Sequence, residues 1–530
     1  MAFRYTLRGL AAAESPGQIL EAIRPVGRGM NGSFARGNTE PWANVVDVLR
    51  ALGAQTLLVQ RGVRDPDFLE EHQAFYSRQH RSVSRSCVRL HAFALPLPAP
   101  DVSSEERRVL EFLDVAARQQ GYLGFVTIRP LSHAPVGATI LKAPTGRRAK
   151  AKDSFPVHIA GIEFEVSGTP FLQQDNAVGA CAQASIWMAL RTLRRRQGNA
   201  AFSPAELTVA ATRYLASDRT FPGRQGLTIH QMLEAIRFAG HDPLNLMMSR
   251  SPTGDADPTE VLGMAGPYIE SGLPVIVALD APGGGHAVVA VGQDAAMAQV
   301  RSAPRLVQET AGSGQLIVTF EPAASWCESL TIHNDNTGPY LELRAATTPP
   351  QPYALDHVVS LIVPLPDGIF MTAAEAEVMA ILYLVRVAVM YTVAANGKPS
   401  LPEVPFVLRA VLVSRHAFRT WAKDDLDTDP AVAERYRTHE LPPYVWLVEI
   451  HDAAKFKPGD ATAKSRCGEV VLDAAADPLH ADCLIFASVS GALWPSVSGL
   501  SGLLLIEEEE GVQAIGLSKE YLGCRIVRSW

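Results

Sequence analysis

Residues 271–294, SGLPVIVALDAPGGGHAVVAVGQD, contain two apolar runs on either side of a glycine-rich loop. The runs 275–279 and 287–291 have the length of strands, and three glycines precede the second run. Two such runs joined by a short glycine-containing loop predict a β-hairpin. The hairpin places His286 at the start of its second strand, beside glycines that leave the imidazole open to a substrate backbone.

A cysteine opens a predicted helix upstream of this hairpin, after the residues QQDNAVGA that begin at Gln173. From Cys181 the sequence CAQASIWMALRTLRRRQG has apolar residues at steps of three and four, and Gly198 supplies a helix stop. The unpaired N–H groups at a helix N-terminus favour a thiolate, so we expect a lowered pKa for Cys181. Gln173 and Gln174 lie close upstream, where an amide can donate to an oxyanion.

A third segment, ESLTIHNDNTGPYLEL, delivers Asn334, Asp335 and Asn336 to a turn before Gly338. An acid or amide at a strand end can accept the second N–H of an imidazole and fix its tautomer. Alternation along a strand puts Asn334 and Asn336 on the face opposite Asp335. We favour Asp335, since a carboxylate best stabilises an imidazolium, and keep Asn334 as the alternative orienting residue.

Four segments, CAQASIWMAL, GLTIHQMLEAIRFAG, IESGLPVIVAL and HAVVAVG, follow one another in an order that resembles the papain-like superfamily of cysteine peptidases. Bacterial bacteriocin-leader peptidases are the most similar branch, and the resemblance covers about 200 of the 530 residues. It implies a two-lobed cysteine hydrolase domain with a helical lobe, a β-rich lobe and a cleft between them. It also implies roles for the residues above: Cys181 as nucleophile, His286 as base and then acid, Asp335 as orienting residue and Gln174 as oxyanion donor, with Gln173 as its alternative.

The sequence departs from the family at two points. Asp175 occupies the position six residues before the cysteine where the family has its oxyanion glutamine. The spacing between His286 and Asp335 is long, and residues 294–315 resemble an insertion off the β-rich lobe. Peptide cleavage is the expected activity. The alternatives are another thiol acyl transfer, such as deamidation or transamidation, and a non-catalytic binding or scaffold module.

Two turn-rich segments, 143–153 (APTGRRAKAKD) and 345–352 (AATTPPQP), predict linkers between domains. We therefore expect an N-terminal α/β domain over 1–150, the papain-like domain over 151–346 and a C-terminal α+β domain over 353–530, within an overall α+β class. One hypothesis is that the first domain restrains the peptidase until the basic linker is cut; the alternative is an uncut tether.

The composition favours a globular multidomain protein, and the cysteine usage favours the cytoplasm. That this protein is a hydrolase of bacterial type is what the resemblance implies. With 47% hydrophobic residues, 19% charged residues and a net charge of -7, the chain has no strongly basic surface for nucleic acid. Six cysteines spread over 530 residues indicate reduced thiols, and the N-terminus lacks a signal-peptide core. The expected partners are a peptide or protein substrate and a protein bound by the flanking domains.

Two further features have ordinary explanations. Residues 378–395 approach the length of a membrane span, but the central Arg386 favours a buried helix, so we expect no membrane partner. His451, Cys467, His480 and Cys483 contain a single His-x-x-Cys pair and are expected to be core residues rather than zinc ligands. No metal or cofactor is expected.

Overall fold

A computed structural model describes most of the chain. The described residues are 4–23, 38–78, 83–99, 104–174, 181–196, 202–213, 226–252, 254–281, 284–295, 305–311, 314–321, 326–348, 351–394, 406–425, 430–457, 465–478, 483–489, 492–497, 500–501 and 504–505.

The helices, in chain order, are α1 (Pro16–Ile23), α2 (Glu40–Ala51), α3 (Pro66–Ala74), α4 (Glu105–Arg118), α5 (Cys181–Arg196), α6 (Pro204–Ala211), α7 (Ile229–Phe238), α8 (Pro258–Glu270), α9 (Ala373–Ala394), α10 (Arg415–Asp424) and α11 (Pro430–Thr438). The strands are β1 (Tyr5–Gly9), β2 (Thr56–Val63), β3 (Cys87–Phe93), β4 (Tyr122–Ile128), β5 (Val136–Leu141), β6 (Asp153–Ile159), β7 (Ile162–Phe171), β8 (Asp242–Met247), β9 (Val275–Ala281), β10 (Gly284–Ala295), β11 (Arg305–Ala311), β12 (Gly314–Glu321), β13 (Cys327–Asn334), β14 (Gly338–Leu343), β15 (Val358–Leu365), β16 (Phe406–Ser414), β17 (Tyr444–Asp452), β18 (Arg466–Asp473), β19 (Leu484–Val489), β20 (Ala492–Val497), β21 (Leu500–Ser501) and β22 (Leu504–Leu505).

The chain forms two compact units. The first contains Met1–Val261, Gly272–Asp294 and Ser329–Leu365, and the second contains Leu262–Ser271, Ala295–Glu328 and Pro366–Trp530. This division differs from the three consecutive segments that the sequence predicts, because two internal pieces of the chain belong to the second unit.

A seven-stranded antiparallel sheet in the first unit has the strand order β1-β2-β3-β4-β5-β7-β6. The amphipathic helix α4 packs on it through Val109, Phe112 and Leu113. Its N-cap is Ser104, whose side chain accepts from the backbone N–H of Arg107. The α/β arrangement expected for residues 1–150 is wrong, since an antiparallel sheet makes this segment α+β.

A six-stranded sheet, also in the first unit, has the order β14-β13-β10-β9-β15-β8. The predicted hairpin is its centre: β9 and β10 pair antiparallel, with His286 opposite Leu279. Helices α6 and α7 begin at capping boxes formed by Ser203 and Thr228. Helix α5, which packs against β7 and β9, is buried around most of its circumference, so that it serves as a core helix.

The second unit is built on a nine-stranded sheet with the order β11-β12-β16-β17-β18-β19-β20-β21 and with β22 paired to β20. Within this sheet the consecutive strands β16, β17, β18 and β19 pair antiparallel. Strand β11 lies within the predicted insertion 294–315, and β12 begins at its end. The two strands pair antiparallel and join this sheet through a parallel pair between β12 and β16. The second unit is therefore α+β, as expected for the C-terminal segment.

The predicted linker 143–153 is attached to the first unit along its length. The backbone N–H groups of Lys150 and Ala151 donate to the carbonyl of Val291 at 2.8 and 2.9 Å. Arg147 forms an ion pair with Asp294 at 3.0 Å. Because β5 before the linker pairs with β7 after it, the predicted boundary at residue 150 falls inside one sheet.

Helix α9 contains the apolar run that approaches the length of a membrane span. Its described side chains at Met379, Ile381 and Tyr383 are buried in the second unit. Among the described residues, no helix combines the length and the apolar character needed to cross a membrane.

Candidate active site

Cys181 is the first residue of α5, as predicted, and its side chain is half-buried. One turn further on, the Ser185 hydroxyl donates to the carbonyl of Ala287 at 2.9 Å, which fixes the start of the helix against β10. The Cys181 sulfur also meets β10, because the backbone N–H of Ala287 hydrogen bonds to it. The thiol therefore lies beside the residue that follows His286.

The surroundings of the thiol do not favour its ionisation. Burial, followed by the nearby Asp335 carboxylate, raises the pKa of Cys181 to about 12, although the N–H groups of Ala287 and Ala182 act to lower it. The expected lowering of this pKa is wrong, because the desolvation of a buried thiolate outweighs the favourable N–H groups at the helix start. In the free protein Cys181 is a neutral thiol at pH 7.

His286 is the third residue of β10, and its imidazole is buried. Its Nε2 lies 3.0 Å from Asn334 Oδ1 and 3.5 Å from Asp335 Oδ1. An amide oxygen can only accept, so Nε2 carries the proton and donates to Asn334. Burial lowers the pKa of His286, while the hydrogen bond to Asn334 raises it. The imidazole is thus neutral at pH 7, with Nδ1 as its basic nitrogen.

Asn334 is the last residue of β13, and the chain turns immediately after it. The Thr337 N–H donates to the Asn334 carbonyl at 3.1 Å, and the Asn336 N–H donates to Asn334 Oδ1 at 3.0 Å. The alternation of a strand ends here, so Asn334 and Asp335 both approach the imidazole. His286 donates its direct hydrogen bond to Asn334, the alternative orienting residue. The Asp335 carboxyl oxygen lies half an ångström further from Nε2.

The Asp335 carboxyl is completely buried. Burial raises its pKa to about 8, against the effect of the backbone N–H groups of Asp335 and Asn336. At pH 7 this carboxyl is mostly protonated, so that it neither pairs strongly with an imidazolium nor opposes a thiolate through a full charge.

The two glutamines before α5, which the sequence offers as oxyanion donors, differ in their burial and in their contacts. Gln173 is buried, with Oε1 accepting from the Val136 N–H at 3.0 Å and Nε2 donating to the Asn38 carbonyl at 2.8 Å. Its amide is engaged, so it is not directed at an oxyanion. Gln174 is half-buried and directly precedes residues 175–180. This segment, which includes Asp175, lies outside the described residues.

Three residues that the sequence did not indicate also belong to this region. The ring of Tyr353 lies 4.8 Å from the His286 ring at an interplanar angle of 31°, and it covers one side of the imidazole. Asn38 and Asn44 contact the turn after Asn334 from the start of α2. All of these contacts join residues distant in sequence, and an asparagine before a helix resembles any other helix cap.

The described residues show no group of three or more His, Cys, Asp or Glu side chains that could hold a metal ion. Of the candidate zinc ligands, His451 forms a hydrogen bond of 3.0 Å between its Nδ1 and the Ser465 hydroxyl. Cys483 is buried beside the Tyr383 hydroxyl. His480 lies outside the described residues.

Comparisons with protein-family models, with curated proteins and with solved structures found no match for this chain. The resemblance to papain-like peptidases therefore depends on the residues and the geometry given above.

Proposed function

We propose that the protein is a cysteine hydrolase that cleaves peptide bonds through Cys181 and His286. The observation that carries this proposal is the meeting of three chain segments: a thiol at the start of α5, an imidazole in the adjacent strand β10, and an amide oxygen 3.0 Å from the distal ring nitrogen. A nucleophile beside a base that a third group orients is the arrangement that acyl transfer requires.

The protonation states of the free protein favour general-base activation over a preformed ion pair. His286, neutral and protonated at Nε2, presents Nδ1 as the proton acceptor for Cys181 while the sulfur attacks a carbonyl carbon. Asn334 Oδ1 accepts the Nε2–H throughout and so fixes the tautomer. The imidazolium then protonates the leaving amine, and water, deprotonated by His286, hydrolyses the thioester and releases the acid.

Reduced thiols also accord with this chemistry. Cys87, Cys181, Cys327, Cys467 and Cys483 are free in the structure. Free cysteines are typical of a reducing compartment, so we place the enzyme in the cytoplasm, acting on a peptide or protein substrate.

A second candidate is a binding module that retains the fold of such an enzyme without its activity. The high thiol pKa and the engaged amide of Gln173 favour this alternative. Deamidation or transamidation would use the same residues, and only the identity of the released product distinguishes them from peptide cleavage.

A peptide carrying a thiol-reactive electrophile tests the proposal on the full chain. Substrate-assisted activation predicts that Cys181 is labelled at least about tenfold faster than the comparably exposed Cys467, and that His286→Ala removes the difference. Cys467→Ala is the matched control and should leave labelling unchanged. Equal labelling of Cys181 and Cys467 in the parent would show that the protein is a binding module.

A further inference from the structure

The turn that follows Asn334 is held by the side chains of Asn38, two residues before α2, and of Asn44, in the second turn of α2. Asn38 Nδ2 donates to the carbonyl of Asn336 at 2.7 Å, and Asn44 Nδ2 donates to the carbonyl of Thr337. Two successive carbonyls of the turn are thus bound by two amides about 300 residues earlier in the chain.

The turn and α2 approach so closely that no side chain fits between them. Gly338 has a φ of +139°, and a Cβ at this position would lie 2.4 Å from the Cβ of Asn44. A separation of this size is far inside van der Waals contact. The backbone of the turn is therefore seated directly on the helix, and its position depends on the helix.

Asn38 also connects the turn to the segment that leads to Cys181. The Asn38 carbonyl accepts from Gln173 Nε2 at 2.8 Å, and the Gln173 carbonyl accepts from Arg129 Nη2 at 2.7 Å. Arg129 is buried and forms an ion pair with Glu71 at 3.2 Å. This series of contacts fixes Asn38 to the interior of the first unit.

We infer that Asn38 and Asn44 are positioning residues for His286, and that they act through the turn on Asn334. The inference rests on the proposed function only in naming the reaction that His286 serves. The hydrogen bond between His286 and Asn334 depends on distance and angle, and weakens steeply when either departs from its optimum. Residues 38–44 thus contribute to the site, in contrast to the hypothesis that the N-terminal segment restrains it.

Replacement of each asparagine by aspartate removes the donor at constant size. In Asn38→Asp one carboxylate oxygen can still accept from the Glu40 N–H, as Asn38 Oδ1 does at 3.1 Å, so that the start of α2 keeps its cap. Asn38 is exposed, and Asn38→Ala provides a second variant that folds if the charge is not tolerated. The matched control is Asn245→Asp, since the Asn245 side chain accepts from the Ser360 hydroxyl in β15 and a carboxylate there can still accept.

The measurement is the solvent exchange of the His286 Nε2–H in the ¹⁵N-histidine-labelled full chain, with peptide-electrophile labelling of Cys181 on the same samples. We expect exchange to be about tenfold faster in Asn38→Asp and Asn44→Asp, in the direction of Asn334→Ala, and unchanged in Asn245→Asp. The unfolding temperature is recorded for each variant.

Exchange at the parent rate in both variants, with the fold retained, would overturn the positioning role. If exchange accelerates in both while the parent shows no preferential labelling of Cys181, the positioning role stands and the proposed peptidase activity fails. The two results are therefore separable.

Discussion

Asn334 and Asp335 are neighbours in the chain and lie 3.0 and 3.5 Å from the same imidazole nitrogen, yet they offer it different chemistry. The amide is a neutral acceptor at every pH, whereas the carboxyl has a pKa raised to about 8 by burial. At neutral pH the amide is therefore the constant partner of His286.

This difference predicts which residue the reaction needs. Asn334→Ala should lower kcat about 100-fold, because Nε2 loses its acceptor and the tautomer is no longer fixed. Asp335→Asn should retain most of the activity, since the mostly protonated acid is replaced by an amide of the same shape. Steady-state kinetics on a peptide substrate provide the comparison. A severe loss in Asp335→Asn together with normal turnover in Asn334→Ala would make Asp335 the orienting residue.

The buried acid also predicts how stability depends on pH. Because the folded-state pKa of Asp335 is raised from 3.8 to about 8, its contribution is fully present below pH 3.8 and is lost as the pH rises through 8. The side chain in Asp335→Asn stays neutral at every pH, so the variant and the parent should have the same unfolding temperature near pH 3.8. Between pH 3.8 and 8 the unfolding temperature of the variant should exceed that of the parent by an increasing amount, and above pH 8 the difference should stay constant. The control variant is Asp280→Asn, since the Asp280 side chain is exposed and its replacement leaves the buried Asp335 carboxyl in place. A constant difference across this range would contradict the buried ionisation.

Single residues could be predicted where the signal is chemical and local. Cys181 at a helix start and His286 at a strand start were both placed correctly, because glycines, apolar runs and capping positions are visible in the sequence. The direction of the Cys181 pKa was predicted wrongly, since burial depends on neighbours such as Asp335 that tertiary folding brings close. Tyr353 could not be predicted for the same reason.

Local sequence signals predicted individual helices and hairpins better than they predicted the order of strands in the sheets. The hairpin of β9 and β10 and the helix α5 agree with the sequence, because each is specified within about 25 residues. The pairing of β5 with β7 is specified only by tertiary packing, so a turn-rich segment between them was interpreted as a domain boundary. Short-range signals establish elements, and they leave the order of strands open.

The contact between α2 and the turn before β14 gives a prediction for these elements. Gly338→Ala should destabilise the protein by about 1–3 kcal/mol in urea unfolding, since the added methyl group collides with Asn44. Gly161→Ala is the control, because Gly161 also has a positive φ, of +87°, but nothing lies within 4 Å of its added Cβ. Equal losses in both variants would attribute the effect to backbone conformation and not to the contact with α2.

For the whole molecule, the first unit is not a series of separable segments. Its seven-stranded sheet uses residues from both sides of the linker 143–153, and the turn after Asn334 depends on Asn38 and Asn44. The chain therefore cannot be divided near residue 150 without opening a sheet and releasing the turn.

A segment from residue 154 onward should accordingly lack cooperative unfolding and preferential labelling of Cys181. The strand β7 loses β5, and Asn334 loses its support. Refolding this segment with a separate segment 1–152 should restore both properties, which controls for the truncation itself. Labelling of the isolated segment at the rate of the full chain would show instead that the N-terminal residues are dispensable.

The position of β15 between β9 and β8 in the six-stranded sheet determines when this sheet can be completed during translation. Translation delivers Cys181 long before it delivers Val358–Leu365, with a delay of about 10–40 s at the usual rates of synthesis. From the synthesis of Val277 to the end of this interval, the strand β9 lacks Leu361, which pairs with Val277 in the folded protein. Asn334 and Tyr353 are likewise still to be made for most of it. Under the function that we propose, the nascent chain thus exits with an incomplete site, because Asn334, Tyr353 and β15 all follow Cys181 in the chain.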